Sequence, residues 1–121
     1  MGDDDFQGKL QALLDRVPGA RAAVVADGDG ITLAAVSRDP ALEADVLVAR
    51  YAVVLRDLRS ALDRLGHGEP SQLILDLRGA RIAILPLKER FALYLILEPD
   101  HDLGRGLFEA RKAATLLESD L

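Results

Sequence analysis

Few residues in this sequence are of types that perform chemistry, and none of them is spaced as in the common catalytic motifs. The two histidines, His67 and His101, stand beside turn residues, and no His-Glu-x-x-His zinc motif is present. A metal site built on His67 and Glu69 would lack a third ligand nearby in the sequence. The chain has no cysteine, and no serine lies in a Gly-x-Ser-x-Gly elbow. We therefore predict a non-enzymatic protein without metal or cofactor, with both histidines in solvated loops.

The Asp-Gly-Asp-Gly string at residues 27–30 is a local pattern that could suggest a ligand. A calcium-binding loop needs an acidic residue at its fifth position and glycine at its sixth. Counted from Asp27, those positions hold Ile31 and Thr32. The string is typical of a hairpin turn instead, in which glycine supplies a positive φ. No phosphate-binding glycine loop followed by Lys-Ser or Lys-Thr is present.

Composition and charge narrow the function classes. The chain has 121 residues, half of them apolar and 29% charged, which predicts one globular domain spanning residues 1–121. Its formal net charge is −5 and it has no basic stripe, so we expect no nucleic-acid partner. No run of about 18 uncharged apolar residues occurs, so we expect no direct insertion into a membrane. The N-terminus is acidic where a signal peptide would be basic, which favours a cytoplasmic location.

Apolar periodicity and turn residues predict the helices and strands of the chain. They are a helix over 3–16, strands over 20–26 and 31–36, a long helix over 40–65 with Asp39 as its N-cap, strands over 72–77, 80–85 and 91–97, and a helix over 103–117. The last strand is apolar on both faces, so helices must cover both sides of the sheet. We predict an α/β (α+β) fold, a three-layer α/β/α sandwich of order α-β-β-α-β-β-β-α. Its sheet is five-stranded and antiparallel, with strand order 2-1-5-4-3.

The long helix is apolar around more of its circumference than packing on a sheet requires. The stripe predicted to face the sheet is Leu47, Tyr51, Val54, Leu58, Ala61 and Leu65. Further apolar residues flank this stripe on both sides: Leu42, Val46 and Val53 on one, Val48, Ala52 and Leu55 on the other. The outward side is predicted to hold Asp45, Ala49, Arg56 and Asp63. We call this wide band of apolar residues around the helix the apolar girdle. It indicates either burial by loops of the same chain or a protein partner, most simply a second copy of this helix.

The predicted strand over 72–77 lies at an edge of the sheet and carries no lysine or proline to protect it. An unprotected apolar edge is usually paired or covered. Pairing two such edges across a two-fold axis would form one continuous sheet and place two long helices side by side. A homodimer therefore accounts for both the edge and the girdle.

Several strings in a fixed order carry a family resemblance. They span residues 13–19, 23–34, 73–76, 81–87 and 102–104, and a helix with Ala110, Ala113 and Ala114 follows. Together they resemble the roadblock/dynein light chain family over Phe6 to Glu118. The arginine-rich, lysine-poor composition and the string around Pro86 favour a bacterial member, similar to the gliding-motility GTPase regulators.

The resemblance implies a dimeric, non-enzymatic platform that binds and regulates a small Ras-like GTPase. The residues implied in dimer or partner contacts are Leu42, Val46, Ala49, Arg50, Val53 and Asp57 on or near the long helix, and Gln72, Leu73, Ile74, Leu75, Asp76 and Leu77 on the edge strand. Arg56 and Arg59 would face the GTPase, and they or Arg50 could serve as an arginine finger. Two alternatives stay open: an assembly subunit without a GTPase partner, and a small-molecule sensor.

Overall fold

The helices and strands follow one another in the predicted order. The computed structural model describes the backbone of residues 2–121 and the side chains of residues 6–121. The elements are α1 (Gly2–Arg16), β1 (Ala20–Ala26), β2 (Thr32–Ser37), α2 (Ala44–Leu65), β3 (Leu73–Asp76), β4 (Arg81–Pro86), β5 (Ala92–Leu97) and α3 (Leu103–Glu118), with a short 3₁₀ turn (Lys88–Arg90) between β4 and β5. Apart from the start of α2, each end lies within one residue of the sequence prediction.

The strands form one antiparallel sheet in the order β2-β1-β5-β4-β3, which confirms the predicted topology. Strand β5 is central, and all six of its residues are buried. On one face Leu93, Leu95 and Leu97 pack into a cluster with residues of α1 and α3. On the other face Tyr94 and Ile96 pack with residues of α2. The predicted three layers are therefore present, with one helix on one side and two on the other.

The start of α2 differs from the prediction. Asp39 was expected to cap a helix beginning at Pro40, but α2 begins at Ala44 after Glu43, whose backbone is extended. The Asp39 carboxylate instead accepts a hydrogen bond from the Ala41 amide at 3.0 Å, and the Asp39 carbonyl accepts one from the Leu42 amide at 3.1 Å. These two bonds close a separate turn before the helix.

The loop between β1 and β2 is the predicted hairpin turn, and it touches α2 closely. The Asp27 carboxylate accepts hydrogen bonds from the amides of Asp29 at 2.9 Å and Ile31 at 3.0 Å. Gly30 has a φ of +81°, and a Cβ placed there would lie 2.7 Å from Ala49 Cα and 3.0 Å from the Cβ of Ala52. Only glycine allows this approach, so the loop brings bare backbone against the helix.

The rotation of α2 about its axis was predicted incorrectly. The buried residues of α2 are Val48, Ala52 and Leu55, which had been assigned to a flank. Three residues of the predicted sheet-facing stripe are exposed: Ala61, Val54 by 46% and Leu65 by 64%. At 100° per residue the buried side is rotated by roughly 105° from the centre of the predicted stripe. The close approach of Gly30 explains this rotation. The helix must present small residues to the Gly30 backbone, and Ala49 and Ala52 do so, whereas the predicted rotation would have placed larger side chains there.

Arg38, just after β2, ties α1 to the sheet. Its guanidinium donates hydrogen bonds to four backbone carbonyls around the end of α1 and the start of β1: Leu14 at 2.5 Å, Val17 at 3.1 Å, Pro18 at 3.2 Å and Ala20 at 3.0 Å. The last carbonyls of a helix lack intrahelical partners and carry partial negative charge, so a cation here stabilises the turn. Nothing in the sequence pattern indicated this role.

Candidate protein-interaction surface

The side of α2 opposite the sheet is open and partly apolar. Val46 is 47% exposed and Val53 is 45% exposed. On the helical wheel Arg50 and Asp57 share their side, away from the buried residues, and Ala49 lies at the edge of that side. We call these five residues the α2 outward face. Val46 and Val53 were expected on a flank, and the corrected rotation places them at its centre.

A shallow groove runs along the first half of the α2 outward face, lined by Asp45, Val46, Ala49, Arg50 and Val53. No loop among residues 6–121 covers the two valines, so burial within the chain does not explain this part of the apolar surface of α2. Leu42 does not belong to this surface, because it precedes the helix and packs, half-buried, on the cluster beneath α2.

Strand β3 is a free edge of the sheet. Within the described part of the chain it pairs only with β4, with Ile74 opposite Ala83. Ile74 is 37% exposed, and Leu77 just beyond the strand is 45% exposed. Its backbone therefore offers unpaired N–H and C=O groups along an apolar strand, the arrangement that favours pairing with another chain.

The two ends of β3 are fixed by polar contacts. Gln72 accepts a hydrogen bond from Arg111 of α3 at 2.8 Å, and Asp76 forms an ion pair with Arg81 of β4 at 3.1 Å. Leu73 and Leu75 point to the α2 side and pack, half-buried, against the same cluster as α2. The edge strand and the helix are thus joined by one apolar layer.

Arg56 and Arg59 line a cleft next to the α2 outward face. The cleft, of about 530 Å³, lies between α2, the β1–β2 loop and the β4–β5 turn, and its other lining residues are Asp27, Gly28, Asp29, Glu89 and Arg90. Arg59 is held in place by Glu69 at 3.1 Å, and its side chain is only 16% exposed. Arg90 approaches the same carboxylate at 3.4 Å. Arg59 therefore lacks the freedom of an inserted finger, whereas Arg56 remains exposed.

The backbone beside this cleft is strained. Glu89 and Arg90 have φ values of +61° and +66°, which side-chain-bearing residues rarely adopt. The Phe91 amide donates to the Lys88 carbonyl at 3.2 Å, so the pair forms a tight turn of the kind usually built from Asn-Gly. The sequence showed a break here but not its geometry.

Tyr94 lies under α2 with 1% of its surface exposed. Burial raises the pKa of its hydroxyl to about 12, while the charge of nearby Arg59 acts in the opposite direction. The hydroxyl therefore stays protonated far above neutral pH and cannot act as a base there.

The histidines and carboxylates do not assemble into a metal site within the part of the chain that the structure describes. His67 is exposed as predicted, but His101 is half-buried, which corrects the expectation of a solvated residue. The His101 ring packs so tightly on the Gly19 backbone that a Cβ there would lie 2.0 Å from Nδ1. None of the helices of residues 2–121 has the length and apolar character to span a membrane.

Comparison with known proteins identifies the family. The profile of the Roadblock/LC7 domain matches residues 6–97. The fold is similar to that of Myxococcus xanthus MglB, with a TM-score of 0.87 and 14% identity over 94% of this chain and 92% of that one. It is also similar to MglC from Myxococcus xanthus, with a TM-score of 0.70 and 25% identity over 97% and 99% of the two chains.

A further structure, described as MglB with a tetrameric arrangement, superimposes with a TM-score of 0.86 and 20% identity over 96% of this chain and 87% of that one. No curated protein sequence gives a significant match. The family profile covers most of the chain and the strings at residues 13–19, 23–34, 73–76 and 81–87, whereas the string at 102–104 and the helix after it lie beyond the matched residues. The sheet order agrees with the fold of the similar structures. The chain belongs to the Roadblock/LC7 domain family.

Proposed function

We propose that this protein is a non-enzymatic homodimeric scaffold that pairs through β3 and the α2 outward face and binds a small Ras-like GTPase. Family membership and the similarity to MglB and MglC support a regulatory scaffold role. The observations that carry the homodimer are the two half-exposed valines of the α2 outward face and the free edge of β3.

The charges on the α2 outward face are self-complementary. Arg50 and Asp57 lie on either side of Val53 and Val54, at nearly equal distances along the helix. If two copies of α2 pack antiparallel about a two-fold axis at this point, Arg50 of one copy meets Asp57 of the other, twice. A patch that matches itself in this way is what a two-fold interface requires.

The helices alone would not hold the dimer. Burying the exposed half of Val46 and Val53 in both copies contributes about 4 kcal/mol, from about 1 kcal/mol per half-buried valine. A micromolar dissociation constant requires about 8 kcal/mol after the cost of association. Pairing of the two β3 edges, which adds backbone hydrogen bonds and buries Ile74, is therefore part of the proposal.

The GTPase partner is carried over from the family resemblance. Arg56 supports it, because it is exposed at the side of the α2 outward face and can meet an acidic or phosphate group of a bound protein. The small-molecule alternative has less support, since the cleft beside Arg56 is open and lined by charged residues rather than apolar ones. The assembly-subunit alternative would use the same dimer without a GTPase.

The experiment has two independent parts. Light scattering measures the mass of the wild type, Val53→Glu and, as a matched control, Leu65→Glu, which adds the same charge at an exposed α2 position away from the outward face. We expect a dimer for the wild type and the control and a monomer for Val53→Glu. An unchanged mass for Val53→Glu would remove α2 from the interface.

The second part tests the GTPase. A Ras-like GTPase of the same organism, loaded with GDP or a non-hydrolysable GTP analogue, is titrated with the wild type and with Arg56→Ala. We expect binding in one nucleotide state, weakened by Arg56→Ala. A dimer that binds neither state supports the assembly subunit instead.

A further inference from the structure

The outward side of α3 combines exposed apolar and basic side chains. Phe108 is 57% exposed and Leu116 is 52% exposed, eight residues apart on one side of the helix. Arg105, Arg111 and Lys112 are exposed around them. We call these five residues the α3 basic face.

No exposed acidic residue interrupts this face. Between Leu103 and Leu116 the only acid is Glu109, which is 5% exposed and lies 3.7 Å from Arg105 and 3.6 Å from Lys112. One buried carboxylate thus stands against three exposed cations, so the face is net positive in a chain whose net charge is −5. Such a concentration of positive charge on one helix is a feature that an acidic partner would recognise.

The apolar and basic groups are arranged together. The Lys112 ammonium lies 5.1 Å from the centre of the Phe108 ring, within the range of a cation–π contact. This contact holds an aromatic ring at the surface next to a positive charge. An occupant that covers the ring must therefore place an apolar group against Phe108 and an acidic group near Lys112.

We propose that the α3 basic face is a docking site for an acidic amphipathic helix of a partner protein. A helix with leucines on one side and glutamates at the flanks satisfies both requirements. An anionic membrane fits less well, because membrane-binding segments usually carry about four to eight clustered cations and this chain is negative overall.

Most of this site is separate from the proposed dimer surface; the exception is Arg111, which donates a hydrogen bond to Gln72 at the end of β3. Helix α3 packs on the sheet face opposite to α2, in the cluster that also contains α1. An occupant of the α3 basic face therefore leaves the α2 outward face free. The scaffold would hold an acidic segment against α3 on one side of the sheet, while α2 contacts the second copy on the other side.

The test uses a fluorescein-labelled amphipathic peptide as long as the 16-residue α3, with leucines at i, i+3, i+4 and i+7 spacing and glutamates at the flanks. A second peptide carries lysine in place of each glutamate. Fluorescence anisotropy measures binding of both peptides to the full chain. We expect the glutamate peptide to bind at least ~10-fold more tightly than the lysine peptide.

The variants separate charge from apolar contact. Lys112→Glu is made in a Glu109→Gln background, since a second carboxylate beside buried Glu109 would strain the helix, and Glu109→Gln alone is the control. We expect Lys112→Glu to remove the preference for the glutamate peptide and Phe108→Ser to weaken its binding at least ~5-fold, because each deletes one of the two recognised groups. Val53→Glu, on the opposite layer, should leave peptide binding unchanged.

Three results would overturn the proposal: equal affinity for the two peptides, no binding of the glutamate peptide, or binding unaffected by Lys112→Glu and Phe108→Ser. Binding to phosphatidylglycerol vesicles without binding to the glutamate peptide would assign the face to a membrane instead. Circular dichroism of each variant checks that its fold is retained. The dimer mass is measured separately, so failure here does not bear on the proposed function.

Discussion

Replacing Gly30 with alanine tests how the β1–β2 loop fixes the rotation of α2. At Gly30 two penalties act together: the φ of +81° is unfavourable for a residue with a Cβ, and that Cβ would lie 2.7 Å from Ala49 Cα. Gly66, at the end of α2, provides the matched control. Its φ is +73°, but a Cβ there has no neighbour within 4 Å.

The two variants therefore differ by the steric term alone. A positive φ costs an L-residue about 1–2 kcal/mol, which alanine partly regains through lower entropy of the unfolded chain. We expect Gly66→Ala to lower the free energy of unfolding by about 1 kcal/mol. Overpacking adds about 1–3 kcal/mol, because Ala49 contributes backbone rather than a flexible side chain. Gly30→Ala should then cost about 3 kcal/mol.

Urea denaturation followed by circular dichroism measures both values. The slope of the unfolding free energy against urea should be unchanged, so that the midpoints report stability directly. If Gly30→Ala and Gly66→Ala lower the free energy of unfolding by the same amount, the contact between Gly30 and α2 does not fix the helix, and the explanation for its rotation is wrong.

Three further predictions concern other parts of the fold. Leu55→Glu buries a charge under α2 and should unfold the protein or lower its free energy of unfolding by more than about 3 kcal/mol, whereas Val54→Glu should lower it by less than about 1 kcal/mol. Thermal unfolding measures both variants. Similar losses of stability would contradict the corrected rotation of α2. Arg38→Met should lower the free energy of unfolding by about 2–3 kcal/mol, because the carbonyls at the end of α1 lose a charged donor. Arg38→Lys should retain only part of this stability. An unchanged urea midpoint for Arg38→Met would refute the stabilising role of Arg38. Folding raises the pKa of Tyr94 from 10 to about 12, so the neutral hydroxyl stabilises the fold below pH 10, and this stabilisation is lost as the pH rises to 12. Over that range the free energy of unfolding of the wild type should fall by about 2–3 kcal/mol more than that of Tyr94→Phe. Parallel pH profiles of the two proteins would show that the hydroxyl is not buried as described.

The order of the elements and the sheet topology could be predicted because each signal was local. Turn residues such as those at 27–30 mark chain reversals, and the doubly apolar β5 requires cover on both faces. These features constrain a helix–strand sequence to few arrangements. The edge position of β3 followed from that topology.

The rotation of α2 could not be predicted in the same way. Its apolar residues extend around most of the helix, so the strongest stripe does not identify the side that meets the sheet. Contact with Gly30, distant in sequence from Ala49, decides it. The carbonyl contacts of Arg38 and the half-burial of His101 also arise from tertiary packing and leave no pattern in the sequence.

The candidate surface was identified in part from sequence. Val46 and Val53 were assigned to it on a wrong rotation and prove more central than expected, while Leu42 lies off it. Arg59 was expected to face the GTPase, but it forms an ion pair with Glu69 of the loop that follows α2, which the sequence did not indicate. Phe108 and Leu116 of α3 were not considered, although their eight-residue spacing was readable.

The mass of the protein in solution tests the central claim most directly. Light scattering over a range of concentrations should give a value close to twice the 13.1 kDa of one chain, and Val53→Glu should shift it toward 13.1 kDa. A wild type that stays at 13.1 kDa at every concentration would contradict the homodimer.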